Sequence, residues 1–203
     1  MPAPTATGSP VAPAAFADLV RRTRTHRRFK ENVAISRAEL LELVDLARLA
    51  ATATNLQPLK YILSWEPERN ALIFRHLVWA RRLKGWSGPA PGERPAAYIV
   101  VLGDTEIAQS FGVDHGIASQ NIMLGATARG LMGCMIASVN HDGLRSALRI
   151  PAKYDILLVL ALGAAGETVV IDSMPADGNT AYWRDPDGVH HVPKRTLDEV
   201  IVE

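Results

Sequence analysis

The chain has one cysteine among its 203 residues, and that scarcity removes a class of folds at once. One thiol cannot build an intrachain disulfide framework, so a packed core has to hold the fold, and a reducing compartment, the cytoplasm, is the expected setting. Cys134 stands in the apolar run Gly133-Cys134-Met135-Ile136-Ala137 with no partner motif of histidine or carboxylate, and reads as a buried small hydrophobe rather than a nucleophile. Cysteine or histidine pairs at zinc spacing are missing, as are G-x-x-x-x-G-K-[ST] and G-x-S-x-G, so no metal site, phosphate loop or nucleophile elbow is expected. Gly125, Gly130 and Gly133 make no G-x-G-x-x-G fingerprint after a strand, which sets aside a dinucleotide Rossmann site. His115, beside Asp114, is read as a structural histidine at a helix start rather than a base. No apolar run is long enough for a membrane span. Residues 1–15, rich in Pro, Ala, Thr and Ser, lack the charged and apolar regions of a signal peptide and are expected to form a disordered tail. The pair Arg21-Arg22 is not followed by an apolar segment, which argues against twin-arginine export. A net charge of +1 supplies no global field for nucleic acid. The basic run Arg21 to Lys30 lacks interleaved stacking aromatics and is read as a solvated helix end.

What is present is the composition of a globular domain, 48% hydrophobic and 21% charged, with length for one core over residues 16–203. Phe16, Leu19 and Val20 predict a short helix over Ala14 to Thr23, with cations welcome at its C-terminal end. Ser36-Arg37-Ala38-Glu39 is a capping box, and Leu40, Leu43, Val44, Ala47 and Ala50 continue it as an apolar stripe. Tyr61 to Ser64 reads as a strand, Glu68 to Lys84 as a helix, and Trp86 to Pro95 as a loop. Ala97 to Leu102 is a buried strand. Asp114 is expected to cap a central apolar helix reaching Leu131, with Gly125 allowing close approach to a neighbour and Gly130 acting as a stop. Met135 to Val139 and Ile156 to Leu162 read as further strands around a short helix from Asp142 to Leu148. Together these elements predict a mixed α/β or α+β domain. Residues 172–193 form a long polar stretch that is expected to reach across a dimer interface, with a final segment from Thr196 to Val202.

Two clusters carry chemistry. In Thr54-Asn55-Leu56-Gln57-Pro58-Leu59, the carboxamides of Asn55 and Gln57 each offer an acceptor and two donors, and Pro58 pushes Gln57 out of helical geometry. Such a loop suits the edge of a flat heterocycle, and it is equally the composition of an ordinary turn. Arg24-Thr25-His26-Arg27-Arg28-Phe29 sets guanidiniums on either side of a hydroxyl, a composition able to hold a phosphate and a second electron-rich group. Anion and heterocycle together point to a nucleotide-like cofactor.

As a set these residues resemble the nitroreductase-like family of FMN-dependent NAD(P)H oxidoreductases, from Arg24 to Val202. Arg24-Thr25-His26-Arg27-Arg28-Phe29 is similar to the family's R-S-x-R-x-F element, and Ala51-Thr52-Ala53-Thr54-Asn55-Leu56-Gln57-Pro58 to its P-S-x-x-N-x-Q-P loop. Asp114 to Asn121 with Gly130 to Cys134 is similar to its central helix and following turn. Leu160-Ala161-Leu162-Gly163 is similar to the strand ending over the ring, and Val192-Pro193-Lys194-Arg195 to a basic C-terminal motif. The resemblance implies a central, mostly antiparallel sheet flanked by helices in an intertwined homodimer. It implies FMN as cofactor and NAD(P)H as donor, with ping-pong hydride transfer through flavin N5 to an electron-poor acceptor such as a nitroaromatic or quinone. Arg24, Thr25, Lys194 and Arg195 would then meet the phosphate, Arg27 the pyrimidine edge, and Asn55 and Gln57 that edge or the ribityl chain, the loop with Thr52 and Ala53 coming from the other subunit. Leu162 and Gly163 would lie near N5, Gly163 letting the backbone approach. No protein nucleophile is implied, since the flavin carries the chemistry. A specialised dehalogenase, ring oxidase or flavin-consuming relative, or a flavin carrier without turnover, fits the same residues. Ala51, Ala53, Thr23 and Leu59 depart from the family's usual Pro, Ser, Arg and Trp. Trp79, Lys84, Trp86, Tyr182 and Trp183 are candidates for pocket walls or for packing.

Overall fold

The computed structural model describes residues 10–83 and 85–203. Residues 1–9 of the expected tail, and Lys84, lie outside the described residues. The first helix, α1 (Pro13–Arg22), starts inside that expected tail, with proline in its first turn where no amide donor is needed. Strand β1 (Phe29–Lys30) follows, then α2 (Arg37–Arg48), whose capping box is complete. The Glu39 amide donates to Ser36 Oγ at 3.2 Å, and the Ser36 amide donates to Glu39 Oε2 at 2.7 Å. Next come β2 (Leu59–Ser64), α3 (Pro67–Phe74), β3 (Ala97–Asp104), α4 (Asp114–Ala128), β4 (Leu131–Ile136), α5 (His141–Leu148) and β5 (Tyr154–Ala165). Three short strands close the chain: β6 (Val169–Ser173), β7 (Trp183–Arg184) and β8 (His190–Lys194).

The central sheet has the order β1-β5-β3-β2, with β4 also paired to β5, and every pairing in it is antiparallel. Each residue of β3 is buried, because both faces of the sheet are covered. Ile99 and Val101 point to one face and join Leu40, Leu43, Ile122, Ala126, Leu160 and Leu162 under α2 and α4. Tyr98, Val100 and Leu102 point to the other and meet Phe29, Ile73, Trp79, Leu144 and Val159 under α3 and α5. Gly125 lets α2 pack tightly on α4: a Cβ there would stand 2.4 Å from Leu46 Cδ1. The chain is thus α+β, an antiparallel sheet flanked by helices. Among the described residues, no helix is long and apolar enough to cross a membrane.

Several elements differ from their expected bounds, each for a local reason. The helix expected over Glu68 to Lys84 stops at Phe74, because Leu77 and Trp79 turn inward to the core. The Val78 amide donates to the Ser138 carbonyl at 2.9 Å there, and Leu77 bridges Val139. The central helix ends at Ala128, and Leu131 opens β4, which runs to Ile136 instead of from Met135 to Val139. Asp114 does not cap its own helix. Its buried carboxylate accepts the Ala53 amide at 3.1 and 3.3 Å, tying the Asn55 loop to the start of α4. From Val169 the chain forms a second sheet, β6-β8-β7, with β6 and β8 parallel and His190 wholly buried.

Candidate functional site

The basic cluster enters beside β4. Thr25 forms a parallel bridge with Gly133, and the His26 amide donates to the Gly133 carbonyl at 2.9 Å, so Arg24 to His26 run along the outer edge of that strand. Two cavities open there, and Met135 is a wall of both. The first, of about 220 Å³, is lined by Thr23, Arg24, Thr25, Gln120 and Met123. The second, of about 300 Å³, lies among Arg27, Trp79, Arg81, Cys134 and Tyr182. The groove therefore has one cationic station at Arg24 and another at Arg27.

The two arginines are held differently. Arg24 donates from Nη2 to the Val20 carbonyl at 2.9 Å, while its buried Nε has no partner. Burial lowers its pKa, the mark of a cation short of compensation. Arg27 is clamped. Its guanidinium sits 4.5 Å above the Tyr182 ring and donates from Nη1 to His190 Nε2 at 3.2 Å. Because that nitrogen accepts, His190 is neutral with its proton on Nδ1, which is buried and has no partner. Burial pushes the His190 pKa down to about 4, against a raising influence from Glu167. Cys134, in the same cavity, is a thiol whose pKa burial raises to about 11, so it is not poised as a thiolate.

Glu167 organises this end of the groove and had no signal in the sequence beyond a lone acid after a glycine. Its side chain is 1% exposed. Oε1 accepts the Arg27 and Arg28 amides, and Oε2 accepts Arg184 Nη2 at 2.8 Å and Nε at 3.1 Å. Burial alone would raise its pKa, but the Arg27 amide, Arg184 and the Arg28 amide outweigh it, and the pKa is lowered. Arg184 in turn lies 4.5 Å over the Trp86 ring.

The other expected residues fall into three places. Thr52, Ala53, Asn55 and Gln57 form one largely exposed loop with Thr54, Asn55 and Gln57 at positive φ (49°, 56° and 53°). Asn tolerates that region; Thr and Gln hold it at a cost that the Asp114 contact and the Gln57 amide to Thr52 Oγ1 bond at 3.2 Å offset. Asp114 and Gln120 share α4, so this loop and the Arg24 cavity lie about 9 Å apart along one helix. Lys194 and Arg195 are exposed at the end of β8, where Arg195 pairs with Glu199 at 3.4 Å; among the described residues no hydrogen bond or ion pair joins them to Arg24 or Thr25. Leu162 is wholly buried in the core. At Gly163, which is also buried, a Cβ would stand 2.9 Å from Phe29 Cδ1. The missing side chain makes room for Phe29. Of the expected wall aromatics, Trp79 and Tyr182 line the groove, Trp86 packs edge-on to Trp79 and under Arg184, and Trp183 stacks on His191 at 4.9 Å.

A model of the Nitroreductase family matches residues 20–78 and 66–164, taking in the end of α1, the Arg24 to Phe29 element, the Asn55 loop and the central sheet through Gly163. The chain belongs to the nitroreductase family. A nitroreductase family protein from Streptococcus pneumoniae shares its fold with a TM-score of 0.66 at 15% identity, covering 93% of this chain and 99% of that one. One from Clostridium novyi superposes at 0.61 with 21% identity, covering 92% and 99%. A protein from Exiguobacterium sibiricum assigned as a nitroreductase, solved in complex with FMN, superposes at 0.63 with 20% identity, covering 74% and 88%. At these identities the likeness is one of fold. Within the nitroreductase frame, the C-terminal segment from Val169 to Lys194 lies beyond the matched residues, and it supplies Tyr182 to the groove, His190 to Arg27 and Arg184 to Glu167.

Proposed function

We propose that this nitroreductase family member is an FMN-dependent oxidoreductase that draws electrons from NAD(P)H and delivers them to an electron-poor acceptor such as a nitroaromatic or a quinone. The observation that carries this reading is Arg24: a desolvated guanidinium with a buried, unpartnered Nε beside the exposed Thr25 hydroxyl, in a cavity on the edge of β4. That donor set fits a phosphate, which accepts charge-assisted bonds from exactly such groups. Bound there, FMN would supply the hydride chemistry that no side chain of the chain offers. Arg24 and Thr25 would hold the phosphate, and Arg195, whose pair with Glu199 is solvent-exposed and weak, is free to join them with Lys194. Arg27, fixed by Tyr182 and His190, would provide a cation with little freedom to move, favouring the anionic reduced state of the cofactor.

Homodimer formation belongs to the same reading. Among the described residues the outer edge of β2 is unpaired, and it flanks a cavity of about 620 Å³ whose lining combines Leu41, Val44, Leu59, Tyr61 and Trp65 with Arg37, Arg48, Lys60 and Arg69. Leu197, Val200, Ile201 and Val202 are exposed at the C-terminus. A partner chain would cover such surfaces and bring its Thr52 to Gln57 loop, with Asn55 and Gln57, to the groove. Cytoplasmic residence rests on the single buried thiol.

Titration of the apoprotein with FMN and with riboflavin tests the phosphate site. FMN is expected to bind at least ~10-fold more tightly, since each charge-assisted bond contributes about 1.5–3 kcal/mol, and Arg24→Met should bring the two affinities together. Equal affinities in the native chain would remove the phosphate site. Rapid mixing of the yellow protein with NADH or NADPH then reads bleaching of the flavin band, and light scattering reads the mass; a monomer retaining FMN would end the shared-site reading.

A further inference from the structure

The flavin reading leaves untouched a cavity of about 200 Å³ whose walls share no residue with the groove along β4. It lies between the start of β3, helix α3 and the turn after β1, and its lining includes Trp65, Asn70, Phe74, Arg94 and Tyr98. Tyr98 is 1% exposed, and its hydroxyl is buried with no hydrogen-bond partner. Arg94 is in the same condition at Nε, with its guanidinium 4.4 Å above the Phe74 ring and no carboxylate within ion-pair distance among the described residues. The other polar groups are spent. Asn70 accepts from Ser64 Oγ and donates to the Ala96 carbonyl, both at 2.7 Å. Glu31, at the exposed rim, accepts the Gly92 and Arg94 amides through Oε2.

Unpartnered buried donors are rare in folded proteins because each costs its full desolvation. Here two belong to residues that line one cavity, and both can donate. Burial raises the Tyr98 pKa, so the phenol keeps its proton. The missing component is therefore an acceptor, and beside a guanidinium without an ion partner it is an anionic one. The remaining walls, Trp65, Pro67, Phe74, Pro95 and Ala96, are apolar or flat. A cavity of about 150 Å³ already accommodates a benzene ring. We infer that this cavity is a second ligand site, separate from the flavin groove, which takes a small carboxylate with an aromatic or compact apolar body, its oxygens meeting Tyr98 Oη and Arg94.

Benzoate is the probe, with benzamide as its neutral counterpart, added to the full chain loaded with FMN. Benzoate should raise the melting temperature saturably, and benzamide should bind at least ~10-fold more weakly. Tyr98→Phe, which removes only the hydroxyl, and Arg94→Gln, which removes the charge, should each weaken benzoate ~10-fold or more while FMN stays bound. Ala71→Phe, on the exposed side of α3, should block the cavity without touching the core. In crystals soaked with benzoate, the carboxylate should lie between Tyr98 and Arg94. Ordered water alone in the cavity, equal binding of benzamide, or benzoate affinity unmoved by these substitutions would overturn the site, the last by placing benzoate elsewhere. Because FMN retention is read in parallel, failure here is distinct from failure of the flavin groove.

Discussion

The two sheets of this molecule are held together by different physics. The central sheet is apolar on both faces: Ile99, Val100, Val101 and Leu160 are wholly buried, and removal of hydrocarbon from water supplies its stability. The small C-terminal sheet has almost no core. Its residues are kept in place by Glu167 accepting from Arg184, by Arg27 donating to His190, and by His191 between Asp172 at 2.7 Å and Asp185 at 3.2 Å with Trp183 stacked on it. The central sheet rests on apolar burial, which carries no titrating group, whereas the C-terminal sheet depends on protonation states. The part of the fold that completes the groove around Arg27 is thus also the part most open to change by pH.

Cutting into each sheet separately should make the contrast visible. Leu160→Ala should cost about 2–5 kcal/mol in denaturant unfolding and shift the single transition of the whole domain. Glu167→Gln leaves Arg184 and two amides short of a charged acceptor and should cost about 3 kcal/mol, with the C-terminal sheet lost first. Limited proteolysis would then cut between β6 and β8 while the central sheet stays resistant; a concerted loss of both sheets would contradict the separation.

Acid probes the same division through two adjacent histidines with opposite behaviour. His190 has a folded pKa of about 4 against an ordinary 6.5, so its contribution is present above about pH 6.5 and lost as pH falls toward 4, up to about 3 kcal/mol. His191 has its pKa raised, by Asp185 first and then Asp172, so its contribution is present below pH 6.5 and lost as pH rises through the folded value. His190→Gln should flatten the acid limb of a stability-against-pH curve, and His191→Gln the alkaline limb. Unchanged limbs would show that neither ring governs the sheet. The smallest effect belongs to the well-signalled helix: Ser36→Ala should cost about 1 kcal/mol through loss of the cap on α2, with no pH dependence of the C-terminal sheet altered.

The same contrast governs how much could be read from the residues. The apolar stripe of α2, the buried run of β3 and the close approach at Gly125 were legible because burial writes a period into sequence. The Arg24 to Phe29 element and the Asn55 loop were legible as local motifs. Glu167 was not, because a carboxylate accepting amides from Arg27 and Arg28, far earlier in the chain, leaves no local pattern. Nor was the fold-back of residues 172–193: its strands are short, polar and joined by pairs that only three dimensions bring together. Gly163 is ambiguous for a related reason, since a glycine that admits Phe29 from a different strand looks the same in sequence as one that admits a ligand.

The bond from the Ala53 amide to Asp114 couples the shape of the carboxamide loop to the core. Thr54 and Gln57 have no intrinsic preference for left-handed backbone, so their loop draws its shape from its anchorage on the first turn of α4. A substitution that loosens that turn would blur the carboxamide edge without touching any residue of the loop itself.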